Sequence, residues 1–372
     1  MSAWFPSPQT SWNETNLRDT ERSREGEGPC GTRTWWWWAA GSWGAWIALG
    51  TARGGRSAMV LERAAIGHEA GSSHGSSRFR QLAPHPTPAY LGYGLTAAEA
   101  WRGLERDAGV RILHRTGNLS IGEPAELDAL GRVLAMHDLP AEPVGPHEAA
   151  ARWPGFAPIG PVLFQPDGDT IAADVGLLAT IDPARRAGAD VREGARSLDI
   201  SIEGEEAVVR TDDGDLRCGN VVLAAGPWVG GLAARVGIDL RVSVHRQTVV
   251  YLETPASLPT ITDWSGREPY ALPDLRGGLK LAEHARGPVA DPDVASGPDP
   301  AAVERLLAWA SEVLPVAGAE PTRTETCLYT MTQDEGFAIE RSGPVIAVSA
   351  CSGQGFQYAP VVADRIAALL DG

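Results

Sequence analysis

The spacing of apolar residues changes period along the chain, and each change marks an element. "VVRTDDGDLRCGNVVLAAG", residues 208–226, alternates around an Asp-Gly turn and runs into an apolar stretch that stops before a Gly-Pro, which predicts a hairpin feeding a buried strand. "PDPAAVERLLAWASEVLP", residues 298–315, places Val303, Leu306, Leu307, Ala310 and Val313 on one helical face after a Pro/Asp start and closes at Pro315. "APVVADRIAALL", residues 359–370, predicts a helix after a turn at Gly353–Gly355, with its N-terminal dipole free to face an anionic group. Strands and helices alternate at both ends around a more β-rich middle, which predicts an α/β unit built from discontinuous segments with a second, α+β unit inserted.

The opening stretch "TWWWWAAGSWGAW", residues 34–46, gives strand, small-residue loop and helix start, followed by a helix over Ala45 to Arg53 and an apolar strand ending at Glu62. That is the order of a dinucleotide-binding βαβ unit, in which glycines let a pyrophosphate approach a helix N-terminus and an acid ~20 residues on takes the ribose hydroxyls. Ala39, Gly41 and Gly44 stand at the three glycine positions and Glu62 at the acid position, so the first glycine is replaced. Four adjacent indoles are unusual filling for a central parallel strand, where Val and Ile normally pack on both faces.

Composition narrows the classes. The chain has 372 residues, 43% of them hydrophobic, ordinary for a globular protein of this length. Lys and Arg total 32 against 47 Asp and Glu, and a net charge of −15 without a basic stripe excludes nucleic acid as an expected partner. Cys30, Cys218, Cys327 and Cys351 have neither disulfide-framework nor metal-ligand spacing, so no metal is expected and a reducing cytoplasm fits. The apolar run from Trp35 to Leu49 is shorter than the ~20 residues of a spanning helix and broken by glycines, so no membrane association is expected. Residues 1–33 are polar and aperiodic and read as a disordered leader.

Ordered segments along the chain carry a resemblance: "MVLERAAIGHEAGSSHGSSR", "RTGNLSIG", "NVVLAAGPW", "HRQTVVYLE", "GGLKLAEH", "TCLYTMTQDEGFAIE" and "SGQGFQYAP". From about Trp35 to Gly372 the sequence resembles the monomeric sarcosine oxidase and N-methyltryptophan oxidase family, FAD-dependent amine oxidases of the D-amino acid oxidase superfamily. The resemblance implies a Rossmann-like FAD-binding unit over 34–80, 155–230 and 318–372, with an inserted substrate unit of mixed or antiparallel sheet over 81–154 and 231–317. It implies FAD contacts from Ala39, Gly41, Ser42, Gly44, Glu62, Arg63, Ser73, His74, Gly353 and Gly355, and a thioether from Cys327 to the flavin. By itself Cys327 reads as a buried free thiol.

The same resemblance places Lys280 over the flavin as the group that activates dioxygen, and Arg78 beside it. The bare residue reading of Lys280 is a solvated strand side chain, and of Arg78 a surface loop arginine. Tyr329, Tyr270 and His284 correspond to positions lining the substrate pocket. The two cations that hold the substrate carboxylate in that family correspond to Gln81 and Gln357 here, with Arg80 one position from the first. The implied activity is oxidation of a secondary, N-methyl-like amine by hydride transfer to FAD, with imine hydrolysis and hydrogen peroxide release, on a substrate lacking the usual free carboxylate, in a cytoplasmic monomer. Two other readings of the chain are a flavin dehydrogenase using another acceptor, and a catalytically impaired member with a damaged FAD loop.

Overall fold

The computed structural model describes residues 35–81, 88–255, 257–266, 269–315, 318 and 320–371; the leader at 1–33, including Cys30, lies outside them. The four tryptophans form the strand Trp35–Trp38, hydrogen-bonded in parallel on both sides, with Trp36 opposite Val221 and Met59. It lies in a six-stranded sheet of order Ala338–Ser342, Val345–Ser349, Asn220–Leu223, Trp35–Trp38, Ala58–Glu62 and Asp190–Glu193. The ladders are parallel except the first.

Both faces of this sheet are covered, as a parallel sheet requires. Val60, Val222, Ile346 and Val348 share one core with the helices Ser42–Arg53, Ala173–Arg186 and Ala359–Asp371, while their neighbours Leu61, Val221, Leu223, Val345 and Ala347 share another with an antiparallel meander over 197–218. The first helix begins three residues before the expected Ala45, because Ser42, Trp43 and Gly44 already form its first turn behind Gly41. Its buried face is Ala45, Ala48, Leu49 and Ala52, small enough for close approach to two neighbouring helices.

The expected hairpin is present, but its two turn residues are Asp212 and Asp213, and Gly214 opens the return strand with φ +118. The Thr211 hydroxyl accepts from Asp213 N and donates to Gly214 O, which shifts the turn by one residue. The helix Pro300–Val313 follows its N-cap Asp299, whose carboxylate accepts from Ala301 N.

The second large sheet has eight strands: Arg323–Met331, Ser243–Leu252, Leu279–Glu283, Pro269–Pro273, Thr260–Asp263, Asn118–Ile121, Val162–Gln165 and Glu142–Val144. All its ladders are antiparallel except that between Thr260–Asp263 and Asn118–Ile121. Two segments expected with the nucleotide-binding unit, at 162–165 and 323–331, give their strands to this sheet. Successive residues of a strand point to opposite faces. Val250, Leu252, Leu279 and Leu281 therefore pack on Leu306, Trp309, Ala310 and Val313 of the covering helix, and Val249, Tyr251, Ala282, Cys327 and Tyr329 gather on the other face.

Between the strand Trp35–Trp38 and the first helix the chain turns through Ala39 at φ +72, with its N–H donating to Leu61 O at 2.9 Å. Left-handed backbone costs a residue with a Cβ ~1–2 kcal/mol, and glycine loses ~0.5–1 kcal/mol of that advantage through its freer unfolded chain. Ala39→Gly should accordingly stabilise the protein by about 1 kcal/mol, a Tm rise of roughly 1–3 °C by calorimetry for a chain of this size. A lower Tm would mean that the Ala39 methyl makes contacts worth more than the strain.

Candidate active site

The two sheets meet at a cleft with two chambers that share Ser72, Cys351 and Phe356. The first opens over the helix Ser42–Arg53. Its lining includes Ala39, Gly41, Ser42, Glu62, Ser73 and His74 together with His68 and Trp228. The first turn of the helix carries no acidic residue, Ser42 N donates to Ser73 Oγ at 3.1 Å, and the buried Ser42 Oγ has no partner among the described residues. A Cβ on Gly41 would stand 3.2 Å from Ser73 Oγ, so a larger residue would crowd that loop. Free helix N–H groups, an orphaned hydroxyl and an open floor are the chemistry that receives a phosphate.

Glu62 closes the far side. Its carboxylate accepts from Ala40 N at 2.8 Å and Ala64 N at 3.1 Å, and lies 3.2 Å from His68 Nε2. Burial pushes its pKa up, but the His68 contact and the two backbone donors outweigh this and leave the carboxyl below its usual range. His74 is buried, and burial with the charges of Arg78 and Lys280 lowers its pKa to about 3, so the ring is neutral. Gly44 sits within the helix and does not line the chamber. Arg63 stands outside it, 4.6 Å over the Trp228 ring and paired with Asp293.

The second chamber lies against the open face of the eight-stranded sheet and is lined by Arg78, Tyr270, Lys280, Cys327, Tyr329, Gly353, Gly355 and Gln357, with Phe79 and Gln247. The sheet register explains the gathering. Cys327 is opposite Gln247, Lys280 is opposite Tyr251 and Leu272, and Tyr329 is two residues from Cys327 on the same face. The Tyr270 and Tyr329 hydroxyls are 3.3 Å apart, and burial first of all raises the pKa of both, so both are neutral phenols. Gly353, at φ +76, leaves room for the ring of Tyr329: a Cβ there would lie 2.3 Å from Tyr329 Cε2.

Lys280 is 4% exposed and its Nζ donates to Ser77 O at 3.3 Å. Burial, then the charge of Arg78, lowers its pKa to about 7, while Cys327, Glu325 and Asp274 act in the opposite direction. Arg78 donates to the carbonyls of Ser77, Ser72 and His74 at 2.9, 3.1 and 2.6 Å. A Cβ on Gly75 would stand 3.5 Å from Arg78 Nη1 and 3.9 Å from both Lys280 Nζ and Glu325 Oε1, so the two cations and this carboxylate surround one point. The Tyr251 hydroxyl donates to Glu325 Oε1 at 2.5 Å, and the half-exposed Arg323 lies 3.9 Å over the Tyr251 ring.

Besides Gly44 and Arg63, two more expected site residues lie outside the chambers. Gln81 is fully buried and its Nε2 donates to Thr262 Oγ1 at 3.2 Å, away from the lining of either chamber. His284 packs on Tyr329 with ring centres 5.9 Å apart, with its Nε2 3.4 Å from Glu335, and does not line the second chamber. Arg80 is not available to the site either: its guanidinium pairs with Asp169 and donates to Asp167 O. Sequence reasoning missed His68, Gln247, Tyr251 and Glu325. The last is visible as the residue two before Cys327 on a strand, whereas the others depend on a loop path and a strand register.

Among the described residues no group of His, Cys, Asp and Glu could hold a metal ion, and no helix is long and apolar enough to cross a membrane. Residues 40–369 match the family DAO, FAD dependent oxidoreductase. The chain is 27% identical to the monomeric sarcosine oxidase of Bacillus sp. (strain B-0618), over 89% of this chain and 90% of that protein. It is 30% identical to the peroxisomal sarcosine oxidase of Homo sapiens, over 87% of this chain and 88% of that protein. In fold it is similar to the open form of NikD, an amino acid oxidase of nikkomycin biosynthesis, with a TM-score of 0.80 and 24% identity over 89% of this chain and 93% of that one. Ser42 Oγ, the open helix N-terminus and the receptive first chamber fit the cofactor that the family name states, and this chain belongs to the FAD dependent oxidoreductase family.

Proposed function

We propose that this oxidoreductase oxidises a secondary, N-methyl-like amine at the expense of dioxygen, with hydrogen peroxide as co-product. The observation that carries this reading is the placement of Lys280 and Cys327 on one open sheet face, in a chamber that shares Ser72, Cys351 and Phe356 with the one over the helix N-terminus. The six-stranded sheet with its helices is the FAD-binding unit and the eight-stranded sheet the substrate unit. Gly41, Ser42 and Ser73 hold the pyrophosphate and Glu62 the ribose, with Ala39 shaping the loop. Cys327 would hold the flavin through a thioether: its thiol S–H and one C–H of a ring methyl would be lost as the S–C bond forms, with the two electrons passing through the ring to dioxygen.

FAD, when bound, supplies the redox chemistry: it takes a hydride equivalent from the carbon beside the amine nitrogen and returns the electrons to dioxygen. The residues do the rest. Phe79, Tyr270 and Tyr329 give the second chamber apolar and aromatic walls that exclude water and hold the amine as the free base. The released imine hydrolyses to a carbonyl compound and an amine. Lys280 presents a positive charge where negative charge develops on oxygen, and in a dry site that charge is weakly screened. Glu325 and Tyr251 act through Lys280, since the carboxylate favours the ammonium form. With Gln81 tied to Thr262 and Arg80 to Asp169, neither reaches a substrate carboxylate, which supports a substrate without one at the usual place. The relative named monomeric sarcosine oxidase supports a monomer, and the three described cysteines, all free and buried, fit the cytoplasm.

Three measurements test this reading. Cys327→Ser should give protein whose yellow colour stays in the supernatant after acid precipitation, where the parent leaves it in the pellet; tightly retained colour in the mutant pellet would exclude Cys327 as the link. Lys280→Met should leave anaerobic flavin reduction by amine within about threefold and slow reoxidation by air by at least about 100-fold, the scale of one lost electrostatic stabiliser. Equal slowing of both half-reactions would assign Lys280 to the substrate.

The third concerns pH. Lys280 is charged below its pKa, so reoxidation by air should be fastest on the acid side and fall as pH rises through it. Glu325→Gln removes a carboxylate that favours the charged form, so the falling limb should move to lower pH, with Arg78, Cys327, Asp274 and Tyr251 still in place around the amine. A limb unmoved by Glu325→Gln would show that this carboxylate does not act on Lys280.

A further inference from the structure

Gln357 is the one side chain of the second chamber whose hydrogen-bonding needs are wholly unmet among the described residues. It is 1% exposed, and neither Oε1 nor Nε2 has a partner. Its backbone is fixed: it lies in the 3-10 turn Gly355–Tyr358, and its carbonyl accepts from Trp101 Nε1 at 3.0 Å. The residue is therefore held at the wall of the chamber. An orphaned buried donor or acceptor is costly, and this side chain carries both.

The rest of the lining narrows what could satisfy it. Gln247 on the facing strand offers a free Nε2 but has its Oε1 committed to Gly287 N at 2.9 Å, so it can only donate. Arg78 already donates to three carbonyls. No Asp or Glu lines the chamber among the described residues. A carboxylate only accepts, so against Gln357 it would accept a hydrogen bond from Nε2 and leave Oε1 facing another oxygen. A bare alkyl amine offers Nε2 only the nitrogen lone pair, which oxidation at the neighbouring carbon needs free. A carboxamide or lactam presents a carbonyl and an N–H side by side, and pairs with the glutamine amide through two bonds at once.

We infer that Gln357 reads a –CO–NH– group, so that the substrate class is N-alkylated amino acid amides and related cyclic amides. This rests on the amine-oxidation reading of the same chamber. The paired bonds turn the substrate so that the carbon bearing its amine nitrogen lies toward Lys280 and Cys327, and Gln247 Nε2 adds a donor to the same carbonyl. The inference concerns recognition and adds no bond-breaking step to the reaction.

The test uses the flavin-loaded enzyme and two isosteric pairs. Methoxyacetamide and methoxyacetate carry ether oxygen in place of the amine nitrogen, and their binding is read by calorimetry. Sarcosinamide and sarcosine are read by anaerobic flavin reduction and by peroxide release. The amide should exceed the acid at least about tenfold in both pairs, the effect of one well-placed hydrogen bond. Gln357→Leu should remove that preference by raising Kd and KM for the amides, with the limiting rate of reduction changed less. Gln357→Glu, which keeps the shape and can only accept, should also lose it while folding normally. Binding of methoxyacetamide without oxidation of either amine would uphold the recognition and sink the oxidase reading. Oxidation of sarcosine at least as efficiently as sarcosinamide would sink the inference and leave the oxidase reading intact. So would an unchanged amide preference in Gln357→Leu accompanied by a shifted flavin absorption band, which would assign the glutamine to the cofactor. Failure of all four compounds to bind or react also overturns it.

Discussion

Arg78 and Lys280 are two cations held around one point in the cleft between the two sheets, Arg78 half-buried and Lys280 buried, and the surrounding fold is arranged to tolerate them. Burial and then the charge of Arg78 favour the neutral form of Lys280. Arg78 is settled by three backbone carbonyls of its own loop. Lys280 has one backbone carbonyl and depends on more distant acids, Glu325 and Asp274, and burial lowers its pKa to about 7. A strained compromise of this kind is expected where a buried charge has work to do on reacting atoms. The neighbouring strands then have little freedom. The Tyr251 row must keep its register, because a shift of one residue would turn Glu325, Cys327 and Tyr329 to the helix-covered face.

The first chamber shows the opposite economy. Ala39 adopts a backbone conformation suited to glycine, and the loop keeps its shape because Ala39 N and Ala40 N are both tied to the next strand, at Leu61 O and the Glu62 carboxylate. Glu62 therefore has a structural task in pinning the loop, besides facing the chamber. The tryptophan strand pairs in parallel with Asn220–Leu223 on one side and Ala58–Glu62 on the other, in an ordinary ladder.

Much of the fold was legible because it depends on local periodicity. The helix at 300–313 and the strand ending at Glu62 follow from apolar spacing and capping, and the hairpin follows from alternation, with its turn displaced by one residue through the Thr211 hydroxyl. Where side-chain chemistry was less readable, the reason was pairing. Gln81 and Gln357 are the same residue type near the same loop system, yet one is paired with Thr262 and the other is a lining residue of the second chamber whose two amide atoms have no partner among the described residues. Likewise Arg80, adjacent to Gln81, is spent on Asp169, 89 positions away.

The sequence by itself determined the strand ending at Glu62, the helices over 300–313 and 359–370, the glycine-poor loop ahead of the first helix, and the presence of a cysteine, a lysine and an arginine in motif-bearing segments. These are properties of short stretches, set by backbone propensity and by the period at which apolar side chains recur. Only the tertiary structure decided which of those side chains share a space. Cys327 and Lys280 lie on different strands that meet through a third, and it is hydrogen-bond register across that third strand, an interaction between residues far apart in the chain, that sets them on one face.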